Sequence, residues 1–141
     1  MSAIGRSAAR AGSAPAQASL LRWRLRPAEP EDFAAITEIR NACRTVEGMP
    51  ATESPEGVAE SWTEPGRDLR RDCIVAELPD GQVIGYDEVF DRGSHRAYDC
   101  WGGDVHPGHR GHGIADAMLA WAEAQVRRRA RERLGDDAFR G

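Results

Sequence analysis

Lysine is absent from this chain: all 19 basic residues are arginine, and against 23 acids they leave a formal net charge of −4. No global basic field is therefore available to draw it to nucleic acid. Cysteine is scarce as well. Cys43, Cys73 and Cys100 are odd in number, widely spaced and without a Cys-x-x-Cys pair, which argues against structural disulfides or a Cys-rich zinc site and fits a reducing cytoplasm. No apolar run approaches the length of a membrane-crossing helix, so no membrane partner is expected. Neither a P-loop, which needs Lys-Ser/Thr, nor the G-x-G-x-x-G dinucleotide pattern occurs in the Gly-rich stretch discussed below.

The 141 residues present are enough for one domain with a buried core. Residues 1–20 are mainly Ala, Ser, Gly and Arg, with little apolar material to bury, and read as a disordered tail. Their lack of acids is faintly similar to a transit peptide, although a long bacterial N-terminus fits better. The folded domain is assigned to residues 21–141. Leu21 to Arg26 alternates apolar and charged residues as a half-buried strand does, and Pro27 ends it. From Glu31 to Cys43, Phe33, Ile36, Ile39 or Arg40, and Cys43 recur at helical spacing behind Pro30. A loop follows, then a second helix from Pro55 to about Glu64 with Val58 and Trp62 one turn apart, stopped by Pro65-Gly66.

Two β-rich runs, Cys73–Leu78 and Val83–Phe90, flank Asp80-Gly81, a strong hairpin signal. Arg92 to His95 makes a further turn, and a strand over 97–105 completes a three-strand antiparallel meander. Gly102-Gly103 inside that last strand invites a β-bulge, or merely relieves crowding near Trp101. A long helix then carries Ile114, Met118, Trp121, Ala122 and Val126 on one face. It ends in an Arg-rich turn that complements the helix dipole and reads as a solvated end.

Between strand and helix lies His106-Pro-Gly-His-Arg-Gly-His-Gly-Ile-Ala115. The first N–H groups of a helix have no internal acceptor, and glycines at 111 and 113 let an anion approach them, with Arg110 adding a cation. An ordinary turn that binds nothing is the bland alternative. His106, His109 and His112 cross a turn whose Pro and Gly residues do not force their rings together, which disfavours a metal site; exposed loop histidines, or helpers near a phosphate, fit better.

Arg110-Gly-His-Gly-Ile-Ala115 resembles the R/Q-x-x-G-x-G/A signature of the GCN5-related N-acetyltransferase (GNAT) superfamily, and Val105-His-Pro resembles the end of that family's fourth strand. The resemblance implies an α/β fold with a mixed, mostly antiparallel sheet flanked by helices, in the order β-α-α-β-β-β-α. It also implies acetyl-CoA as co-substrate, its diphosphate on the loop amides of Arg110, Gly111, His112, Gly113 and Ala115. Its pantetheine arm would lie against the strand edge at Gly103, Asp104 and Val105. The first two helices would line the acceptor cleft, where Glu47, Glu53, Glu56 and Glu60 are candidates to favour a cationic amine or are simply solvated.

Direct transfer to a small-molecule amine, or to a protein N-terminus or side-chain amine, needs a general base within reach. Asp99, Asp104 and Glu88 are the candidates. A complete member of the family continues with a fifth strand, a further helix and final strands, whereas this sequence stops at Gly141. The expectation is thus a domain lacking the last strands and helix: a fragment, one half of a two-domain protein, or a chain that completes its sheet as a homodimer through the open edge. Two other readings compete with catalysis. One is a non-catalytic CoA-binding or structural half; the other is a nucleic-acid binder using the Arg-rich helix end, which the charge balance disfavours.

Overall fold

Residue Arg26 organises the entry to the domain, which a computed structural model describes over residues 21–91 and 98–134. Its guanidinium spans the Asp32 carboxylate at 2.8 and 2.9 Å, while Asp32 also accepts the Glu29 N–H at 2.8 Å. That ties strand β1 (Arg24–Pro27) to the start of helix α1 (Phe33–Val46) through a short 3-10 turn at Pro30–Asp32. Helix α1 buries Ile36, Ile39 and Cys43, the face its periodicity predicts, and runs three residues past the expected end. Helix α2 (Pro55–Trp62) begins where Ser54 caps it, accepting the Gly57 N–H at 3.1 Å, with Pro55 in its first turn. Val58 and Trp62 are buried from it, and a four-residue helix α3 (Leu69–Asp72), too short to announce itself by periodicity, leads into the sheet.

Strands β2 (Cys73–Glu77), β3 (Val83–Asp91) and β4 (Tyr98–Val105) form the expected antiparallel meander, and β1 joins the far side of β2 to give the order β1-β2-β3-β4. Gly81 makes the β2–β3 hairpin at φ +92°, a conformation that glycine adopts without Cβ strain. Helix α4 (Ile114–Leu134) closes the described fold. The α/β architecture and element order are those expected, with α3 added. The tail at 1–20, the turn at 92–95 and residues 135–141 lie outside the described residues. No helix among the described residues is long and apolar enough to cross a membrane.

Strand β2 is buried on both faces, and its alternation sorts the core into two layers. Cys73 and Val75 pack with Tyr86 under α1 and α2; Ile74 and Ala76 pack with Ile84 and Val105 under Ile114 and Met118 of α4. The buried stripe of α4 continues through Ala122 and Gln125 to Arg129. Arg129 is thus no part of a solvated helix end: it is 4% exposed and paired with Asp72 of α3.

At the other end of the sheet the β3–β4 ladder slips. Tyr86 faces Asp104 and Glu88 faces Trp101, so the single residue Asp87 stands opposite both Gly102 and Gly103. This is the bulge that the paired glycines suggest. A Cβ on Gly103 would lie 1.8 Å from the Tyr86 carbonyl oxygen, so only glycine fits.

Candidate functional site

The bulge and the turn after β4 shape a cavity of about 420 Å³. It is lined by Gly103, Asp104, Val105, Arg110, Gly111, Gly113 and Ala115, together with His109, Ile114 and Asp116. These include every residue expected to hold the coenzyme except His112. The His112 carbonyl instead accepts the Trp23 indole N–H at 3.2 Å, pinning the loop to the residue before β1. Gly111 and Gly113 take φ +89° and +80°, with nothing within 4 Å of where a Cβ would sit. They are glycine for conformation, and the space above them is open. In α4 the Ala117 N–H is bonded to the Gly113 carbonyl at 3.1 Å; the helical N–H groups before it have no acceptor inside the helix.

Arg110 lines this cavity, and one of its guanidinium nitrogens lies 3.5 Å from the Cys43 thiol. The same thiol donates to the Val105 carbonyl at 3.5 Å. Burial pushes the Cys43 thiol above its ordinary value, with Asp104 adding to the effect, so it is a neutral wall group. His106 accepts the Gly108 N–H at 3.0 Å, and its ring meets that of His109 edge-on at 5.8 Å. No three potential metal ligands converge among the described residues.

A second cavity, about 590 Å³, opens between α1, the segment after α2, and the free ends of β3 and β4. Its walls carry five acids, Glu47, Glu53, Glu64, Glu88 and Asp104, against three arginines, Arg40, Arg44 and Arg67, a net of two negative charges. Of the expected acidic residues, Glu47 and Glu53 are on this wall, while Glu56 and Glu60 are exposed elsewhere on α2. Glu53 is matched by Arg40 at 3.1 Å. Glu47 and Glu64 make no ion pair with a described residue.

The three candidate bases are placed very differently. The Asp99 side chain lies outside the described residues. Glu88 is 7% exposed and held on both oxygens: one takes Arg67 at 2.7 Å, the other takes the Trp62 indole at 2.9 Å and Arg40 at 3.2 Å. Asp104 is half-buried, and one of its oxygens accepts the Tyr86 hydroxyl at 2.5 Å. Tyr86 in turn accepts from Arg40 at 3.2 Å. Burial, and then the Asp104 contact, push the Tyr86 phenol well above its ordinary value, so it stays a neutral donor. Asp104 is shared by both cavities.

Arg40, Arg67, Trp62 and Tyr86 are site residues that sequence reasoning did not find. Trp62 and Arg40 were visible as members of helical faces, but nothing local says that they converge on Glu88, 26 and 48 positions away.

Comparison with known proteins places this geometry. The model of the acetyltransferase (GNAT) family matches residues 33–136. A GCN5-related N-acetyltransferase from Sphaerobacter thermophilus is 29% identical with a TM-score of 0.68, over 76% of this chain and 33% of that one. A GNAT family acetyltransferase from Brucella melitensis, solved with acetyl-CoA, is 25% identical with a TM-score of 0.59, over 77% of this chain and 70% of its own. The Salmonella typhimurium protein yncA, whose structure holds its cofactor acetyl-CoA, is 27% identical with a TM-score of 0.55, over 75% and 64%. The chain thus spans about a third of the first of these and about two-thirds of the others. No curated protein matches it.

Proposed function

Because the chain belongs to the acetyltransferase (GNAT) family, we propose that it transfers the acetyl group of acetyl-CoA to an amine. The fit of the coenzyme to these residues rests on the open, unhindered backbone at Gly111 and Gly113 and the unpaired amides at the start of a 21-residue helix. The amides of residues 111–115 would hold the diphosphate, and the edge of β4 at Gly103 to Val105 the pantetheine arm. When bound, acetyl-CoA supplies an activated acetyl thioester. Everything else is the work of the chain.

An amine must be neutral to attack, so it has to lose a proton first. Asp104 is the residue to take it. One of its oxygens is fixed by Tyr86, and the residue lines both the proposed acceptor cavity and the proposed coenzyme cavity. That shared position is the single observation that carries the assignment. Glu88 is a positioning residue in this reading: it holds Arg40, which backs Tyr86, which fixes Asp104. The unmatched Glu47 and Glu64 favour an acceptor bearing positive charge, and two substrates held together supply much of the rate by orientation.

Calorimetry with acetyl-CoA and CoA release across a panel of amines test the reading together. Wild type is expected to bind and turn over. Asp104→Asn keeps affinity for acetyl-CoA within a few-fold while kcat falls by roughly 10²–10⁴. Binding with no CoA release from any amine would replace the enzyme by a coenzyme-binding module. The open edge of β4 in the described sheet supports pairing with a second copy. The free, buried thiols of Cys43 and Cys73 suit a reducing compartment such as the cytoplasm.

A further inference from the structure

Asp87 is a buried carboxylate that the proposed chemistry does not use. It is 4% exposed, sits opposite the two glycines of the bulge, and forms no ion pair with a described residue. Its carboxylate accepts the Glu88 N–H at 2.7 Å, and the Gly103 backbone N–H across the bulge favours its ionised form. Asp87 thus stands against the amide of a glycine at which the ladder slips. The next residue on β4 is Asp104.

We infer that Asp87 is a positioning residue: its carboxylate anchors the bulge through Gly103 and so sets the place of Asp104 and the β4 edge for acetyl transfer. The inference rests on the acetyl-transfer reading for its catalytic consequence, but not for the anchor itself. The requirement for a carboxylate follows from hydrogen-bond counting. An ionised Asp presents only acceptors to the two amides; its protonated form exchanges part of that acceptor capacity for an O–H donor and so holds two N–H groups less well.

Burial, with the like charges of Glu88 and Asp104 adding to it, raises Asp87 to about 6, against the two amides that favour the ion. Opposite it on β2 stands Ile74. From α4 the one buried charge is Arg129, already held by Asp72. Folded protein then carries a proton that unfolded chain has lost between the ordinary Asp range and about 6. Stability therefore falls as pH rises through that window, while the anchor, and with it activity, is gained.

The test has one arm without substrate and one with it. In the free wild-type protein, the Gly103 and Glu88 amide proton resonances should move with a midpoint near 6. In Asp87→Asn they should not. The same variant should melt at or above the wild-type temperature at neutral pH, since it removes a buried charge, yet lose between about tenfold and a hundredfold in kcat through misplacement of the base. Its pH profile should also lack the limb near 6. A Gly103 amide indifferent to pH in wild type overturns the anchor, whether or not the variant folds. Wild-type kcat and an unchanged profile in Asp87→Asn overturn its role in transfer. Failure of wild type to release CoA with any amine would sink the acetyl-transfer reading instead, and leaves the amide titration to decide the anchor.

Discussion

The two cavities that meet at Asp104 are made of different materials. On the proposed coenzyme side the wall is largely backbone: two left-handed glycines, a helix start and a bulged strand edge, with Arg110 beside them. On the proposed acceptor side the wall is side chains, eight of them charged, drawn from α1, the loops, β3 and β4. A surface of amides suits a ligand whose anionic part is invariant, because it recognises phosphate by geometry alone. Charged side chains can be exchanged without moving the backbone, and that is the side on which acceptor preference can diverge.

The largest effect should come from the charged side. Glu88 is the counter-ion of two arginines and the acceptor of the Trp62 indole inside the cavity floor. Removing one partner of a buried ion pair leaves the others uncompensated, at a cost of about 3–5 kcal/mol. Glu88→Ala should lower stability by that order in a denaturant titration. If the floor tolerated Glu88→Ala within a few tenths of a kcal/mol, the contrast between a wired acceptor wall and a backbone coenzyme wall would lose its basis.

The same contrast explains what could be read from the sequence. The coenzyme wall is contiguous in the chain, from Gly103 to Asp116, and each of its glycines announces a local backbone requirement, so the bulge and the loop were legible. The strands and both early helices were legible too, since period and turn chemistry are local. The acceptor wall is assembled from α1, a loop, β3 and β4, and its logic is tertiary. Tyr86 and Glu88 are two residues apart on one strand, which places them on one face, but their partner Arg40 lies on α1 and could not be matched to them by spacing. Arg129 misled for a related reason: in an Arg-rich helix end, composition said solvent, while its position fifteen residues after Ile114 kept it on the buried stripe.

A middle-sized effect tests the backbone side. Gly113→Ala meets no neighbour within 4 Å but must hold φ +80°. The cost is conformational, roughly 1–2 kcal/mol for a non-glycine residue in the left-handed region. The loop can also relax and turn its amides away. Both outcomes weaken acetyl-CoA, and the expected reading in calorimetry is a Kd raised by about tenfold, the equivalent of roughly 1.4 kcal/mol. The acceptor KM, measured at saturating acetyl-CoA, should stay near its wild-type value. A Gly113→Ala protein with unchanged acetyl-CoA affinity would mean that the amides of this turn are not the anchor.

The smallest effect concerns the two acids left without counter-ions. Glu47 and Glu64 border the acceptor cavity from α1's end and from the segment after α2, and both are exposed, so water and salt screen them. Neutralising them as Glu47→Gln and Glu64→Gln should leave the fold untouched, because no described partner loses an ion pair. What remains is their field on an incoming cation, and for exposed charges that is worth on the order of 0.2–1 kcal/mol each. The double variant should therefore raise KM for a dibasic amine by roughly two- to thirtyfold at low salt, with little change for a monoamine of the same length. The difference should shrink as ionic strength rises past about 0.15 M, where the screening length is near 8 Å. An equal rise in KM for both amines, insensitive to salt, would point to a direct contact. Only a salt-sensitive difference between the amines is a field effect, which is what separates a tunable acceptor wall from the fixed backbone wall across Asp104.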